Sequence, residues 1–187
     1  MIQSSGIIGI MWKKIKQIFF FILLFSGVAI VQFSFILALP SIFNQINLAV
    51  IALIFTLFFF SFRAALYAAI VLGFWLDLYS FNFFGLYLLL FWLIVILVNW
   101  ILKVWLTNRS LYSFLLLILI ATLASGLISG WLFYFSGASA GGFFLGSGVF
   151  WSKLFYQLIW SELAGLLVFS LAGVLTRRFQ PFFLEKK

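Results

Sequence analysis

The stretch FRAALYAAIVLGFWLDLYSFNFFGLYLLLFWLIVILVNWILK, Phe62 to Lys103, decides how the chain folds. Arg63 stands next to its start and Lys103 at its end, and between them Asp77 is the only charge. Ala64 to Leu78 is apolar and rich in small residues, YSFNFFG is a polar and aromatic break, and Gly85 to Leu106 is apolar again. A spanning helix needs about 20 apolar residues, so the segment reads as two membrane spans joined by a short turn. The cations lie at the open end of this hairpin and the aspartate at its closed end.

The same pattern recurs on both sides. From Lys16 to Arg63 no charge occurs, and PSIFNQIN, Pro40 to Asn47, divides a first span at about 17–39 from a short second one at 48–62. Beyond TNRS, Thr107 to Ser110, a fifth span at 111–135 and a sixth at 149–176 flank the loop SGASAGGFFLGSG. The expected fold is therefore an all-α integral membrane protein, a single domain of six helices in three hairpins. Composition demands the same environment: of 187 residues, 67% are hydrophobic and 7% charged, far from the soluble norm.

Lys13, Lys14, Lys16, Arg63, Lys103, Arg109, Arg177, Arg178, Lys186 and Lys187 fall on one side of this layout, and only Lys153 on the other. By the positive-inside bias both termini are expected in the cytoplasm. The start WKKIKQIFFFILLF has the charge and apolarity of a signal peptide, but the apolar run continues and no convincing cleavage site follows, so it reads as a retained first span. Trp100 and Trp105 suit the inner interface, and Trp131 and Trp151 the outer one. The cations are scattered between apolar runs, which argues for topology and against a nucleic-acid surface.

Catalytic chemistry has little to work with. Histidine and cysteine are absent, and the only acids are Asp77, Glu162 and Glu185. No Ser/His pair, no Asp/Asp dyad, no phosphate loop and no thiol or imidazole metal site can be assembled. The sequence nominates no catalytic residue, no metal and no cofactor.

What remains is polar groups inside the membrane and small residues at helical spacing. Glu162 lies roughly 13 Å down the sixth span from Lys153, near the bilayer middle, and nine residues put the two on opposite sides of the helix. It reads either as an acid hydrogen-bonded to a neighbouring helix or as a ligand or proton site, because such residues usually face other helices or a cavity. Asp77, about 21 Å from Arg63 along a helix, falls at the opposite surface. There it would accept hydrogen bonds from the amides of the following turn, meet Lys153, or contact a partner or ligand together with Tyr79, Asn82 and Gly85. The pairs Ala64/Ala68, Ala65/Ala69, Gly126/Gly130 and Ser161/Gly165 have the four-residue spacing that lets membrane helices approach closely.

The central hairpin resembles the rod shape-determining protein MreD family. There a small-residue span runs through a glycine to an L-D-L-x-S-like end, and a glycine-containing turn opens the next span. The matching residues are Gly73, Leu76, Asp77, Leu78, Ser80 and Gly85. The resemblance implies a non-catalytic scaffold of the cell-elongation and peptidoglycan-synthesis machinery in the bacterial inner membrane. It also implies partners: an MreC-like scaffold, a RodA-type glycosyltransferase with its transpeptidase, and, indirectly, the MreB filament. In fold the family resembles the substrate-binding S subunits of energy-coupling-factor transporters. Under that alternative Asp77, Asn82, Lys153, Tyr156 and Gln157 would line a vitamin-type pocket.

Overall fold

The computed structural model describes residues 4–36, 39, 45–80, 84–105, 110–135 and 148–177. Six α-helices follow one another: α1 Ser4–Val31, α2 Leu48–Phe59, α3 Phe62–Tyr79, α4 Leu86–Val104, α5 Leu111–Phe135 and α6 Gly148–Arg177. No strand occurs among the described residues. Four of these helices, α3 to α6, contain stretches long and apolar enough to cross a bilayer, while the apolar parts of α1, Phe19–Ser34, and α2 are shorter. The chain is an all-helical membrane protein.

Two elements depart from the sequence reading. The first helix starts at Ser4, well before the expected 17, because WKKIK contains no helix breaker and lysine is a good helix former. It ends in a π-helical turn, Gln32–Ile36. There the Gln32 side chain leaves the helix to grip the start of α2: Nε2 donates to the Ile46 carbonyl at 3.0 Å, and the Leu48 amide donates to Oε1 at 2.8 Å. Asn47 accepts from the Val50 amide, so two of α2's orphan first-turn donors are satisfied by side chains. The second departure is the end of α2 at Phe59, where Ser61 turns extended and caps α3 through the Ala64 amide.

With 12 residues, α2 is the shortest helix and also the central one. It packs against all five others, and Ala49, Val50, Ile51, Leu53, Ile54, Thr56, Leu57 and Phe58 are buried. A helix apolar all round has no stripe to direct it and is stable where every face is covered. Phe58 and Phe59 meet Phe114 of α5, and Phe59 also meets Phe169 of α6, so α2 ends where α5 begins and α6 finishes.

Neighbouring helices alternate in direction. The closest pair is α3 and α4. Between α5 and α6, a Cβ on Gly126 would meet Leu154 Cδ1 at 2.8 Å, and one on Gly165 would collide with Ile118 Cδ1, which fixes an antiparallel register. Ring contacts of Phe21 with Phe60 and Phe33 with Tyr79 run α1 parallel to α3. Thus α1, α3 and α5 start at one end of the bundle, and α2, α4 and α6 at the other. Ala68, Gly126, Gly130 and Gly165 are buried and Ala64 half-buried, so these small residues pack the chain's own interior.

Candidate functional site

Around the α3–α4 turn, Asp77, Tyr79, Phe84 and Gly85 come together at one end of the bundle. Gly85 adopts φ +100°, a left-handed conformation that suits glycine, and so lets α4 start immediately after the turn. Having no side chain, it leaves the first-turn amides of α4 uncapped. Asp77 supplies the cap from the preceding helix: the Tyr87 amide donates to Oδ1 at 2.9 Å and the Leu88 amide to Oδ2 at 3.1 Å. Both carboxylate oxygens are engaged, the residue is 3% exposed, and the anion lies on the positive end of the α4 dipole.

Gly73, one turn before Asp77 on the same face of α3, explains how the carboxylate reaches. A Cβ there would lie 2.5 Å from Leu88 Cα, so the first turn of α4 rests directly on the α3 backbone. Leu88 therefore touches Gly73 with its Cα and Asp77 with its amide. Ser80 closes α3 through its own amide to the Leu76 carbonyl at 2.8 Å.

An aromatic rim surrounds this lock. Trp75 stacks on Tyr79 with centroids 6.0 Å apart, Tyr79 meets Phe33 of the π-helical turn after α1, and Trp75 Nε1 donates to Ser26 Oγ of α1 at 2.8 Å. Phe84 sets its edge against Phe74. Leu78, Tyr79 and Phe84 remain exposed. Such a site has no free base or nucleophile in its carboxylate; it offers a rigid, mostly apolar surface with a fixed shape.

Asp77, Tyr79 and Gly85 thus come together, and Asn82 lies outside the described residues. Lys153 does not join them. It is exposed on α6, which packs chiefly on α5 and α2. Tyr156 is also exposed and Gln157 half-buried on that helix, so the set expected to line a pocket is dispersed. Among the described residues no group of three or more potential metal ligands of the His, Cys, Asp or Glu type occurs.

Of the two readings of Glu162, an acid hydrogen-bonded to a neighbouring helix or a ligand or proton site, neither is decided: its Oε1 is buried without a hydrogen-bond partner, as is the Oγ of the fully buried Ser161. Nearby in the α5–α6 pair, Gly165 lets Ile118 press onto α6, and on α5 the Thr122 and Ser125 hydroxyls donate to α5 carbonyls. The sequence reading also missed Gln32, whose signal was a lone amide within an otherwise apolar run.

No protein-family model matches the chain, and no curated protein sequence or solved structure does so either.

Proposed function

We propose that the chain is a non-catalytic scaffold of the bacterial cell-elongation machinery, similar to MreD, with six spans in the inner membrane and both termini in the cytoplasm. The observation that carries this reading is the lock of Gly73, Asp77 and Gly85. Three of the six residues on which the family resemblance rests seat α4 on α3, and beside them lies an aromatic rim with no reactive group. Desolvated aromatic side chains are the usual anchors of protein contacts. In this reading Leu78, Tyr79 and Phe84 receive the membrane helix of an MreC-like partner, and Asp77 holds their shape.

The transporter alternative stands second, because a vitamin site needs several convergent polar groups and Lys153, Tyr156 and Gln157 sit apart from Asp77. Photo-crosslinking in cells separates the two. A crosslinker at Tyr79 or Phe84 is expected to capture an MreC-like protein, and one at Leu167, exposed on α6, is not. Absence of any protein adduct at the rim, together with a stoichiometric metabolite on the purified chain, would overturn the scaffold reading.

A further inference from the structure

The described cations are distributed unequally between the two ends of the bundle, and at the end where α1, α3 and α5 begin Lys16, Arg63 and Lys103 lie within a band about 7 Å thick. Lys16 of α1, Arg63 of α3 and Lys103 of α4 are all exposed. Their helices are neighbours, α1 packing on α3 and α3 on α4. Phe21 lies against Phe60, so Lys16 falls about 7 Å beyond the start of α3, where Arg63 sits. The seating of Leu88 on Gly73 places Lys103 about 7 Å past the level of Arg63 in the same direction. One headgroup layer, about 5–8 Å thick, holds all three.

Tryptophans accompany them. Trp12 precedes Lys16 by four residues and Trp100 precedes Lys103 by three, so each pair shares a helix face. Trp12, Trp100 and Trp105 are all more than half exposed. No carboxylate lies here among the described residues: Asp77 caps α4 at the opposite end, and Glu162 is in the middle of α6.

From this arrangement we propose that the α1–α3–α4 base is a binding surface for anionic phospholipid headgroups. Guanidinium and ammonium groups donate to phosphodiester oxygens, and the Trp100 indole, one turn inside Lys103, occupies the boundary between headgroup and acyl chain. Cations spread over three adjacent helices within one headgroup thickness match a layer of phosphates; an acidic protein partner would be met by a projecting cluster. The inference is independent of the scaffold reading.

The test uses the full chain, delipidated in neutral detergent and exposed to dioleoylphosphatidylglycerol or dioleoylphosphatidylcholine, with bound lipids counted by native mass spectrometry. The glycerol lipid is expected to be retained preferentially. Each neutralised cation should weaken its binding roughly fivefold, and Lys16→Gln, Arg63→Gln and Lys103→Gln combined about a hundredfold. Lys153→Gln, at the other end, should leave it unchanged. If the triple variant does not fold, single Arg63→Gln and Lys103→Gln carry the same comparison. Equal retention of the two lipids by the unaltered chain, or undiminished preference in a folded variant, overturns the proposal.

Discussion

Replacing Asp77 strands two backbone donors at once. In Asp77→Ala the amides of Tyr87 and Leu88 lose acceptors at 2.9 and 3.1 Å, and the α4 N-terminus loses its counter-charge. A buried donor left unpaired costs about 1–3 kcal/mol, and the charge–dipole term about 0.3–1 kcal/mol. The contributions overlap because one side chain supplies all of them, so a loss of about 3 kcal/mol is expected. Asp77→Asn keeps one oxygen acceptor and turns an NH2 toward the second amide, and about half that loss should follow. Both variants are measured in neutral detergent, without partner or anionic lipid, by reversible unfolding with increasing mole fraction of sodium dodecyl sulfate. Gly73→Ala provides an internal check, since it too disturbs Leu88. Its effect should combine with that of Asp77→Ala less than additively, by about 1 kcal/mol. A loss below about 0.5 kcal/mol in Asp77→Ala, or equal losses for Ala and Asn, would refute the cap as the residue's role.

Gly85→Ala forces a Cβ into the left-handed region and should destabilise by about 1–2 kcal/mol in the same assay. Gln32→Leu removes both bonds to the start of α2 and should cost about 1–3 kcal/mol, with proteolysis near residues 37–44 accelerated. Glu162→Leu is expected to leave stability unchanged or raise it by about 1 kcal/mol, because the buried Oε1 has no hydrogen bond to lose; a clear loss would show a partner for that oxygen. For the proposed topology, single cysteines at Ser5, Asn108 and Lys186 should resist an impermeant thiol reagent in intact cells while Asn44 and Ser139 react. Labelling at Asn108 refutes the six-span arrangement.

Helix positions were legible from the sequence because charges and turn residues interrupt apolar runs, and the runs at 64–78 and 111–135 correspond closely to α3 and α5. Burial within the bundle was not. Lipid and protein interior are both apolar, so periodicity gives no sign that α2 is central and that α6 has a wide face left uncovered by the chain. Asp77 was readable as a cap since an acid at a helix end faces the free amides of the next element. That it takes this role depends on how closely the first turn of α4 settles on Gly73 of α3, which nothing in either helix announces. Glu162 was legible as costly and not as unpartnered: its surroundings depend on how closely Ile118 approaches Gly165.

The central position of α2 bears on how the protein is made. Its 12 residues span about 18 Å, roughly three fifths of a hydrocarbon layer about 30 Å thick. It leads into α3 through only Phe60 and Ser61, so the two helices enter the bilayer as one hairpin. Two of the helices that enclose α2, α5 and α6, leave the ribosome only after more than fifty further residues have been synthesised. In the interval lipid satisfies its side chains but does not reach the polar groups at its ends. The bundle is thus completed from the inside outward, with the C-terminal hairpin closing over a core laid down earlier, and chains halted after α4 should be the ones that quality-control proteases remove.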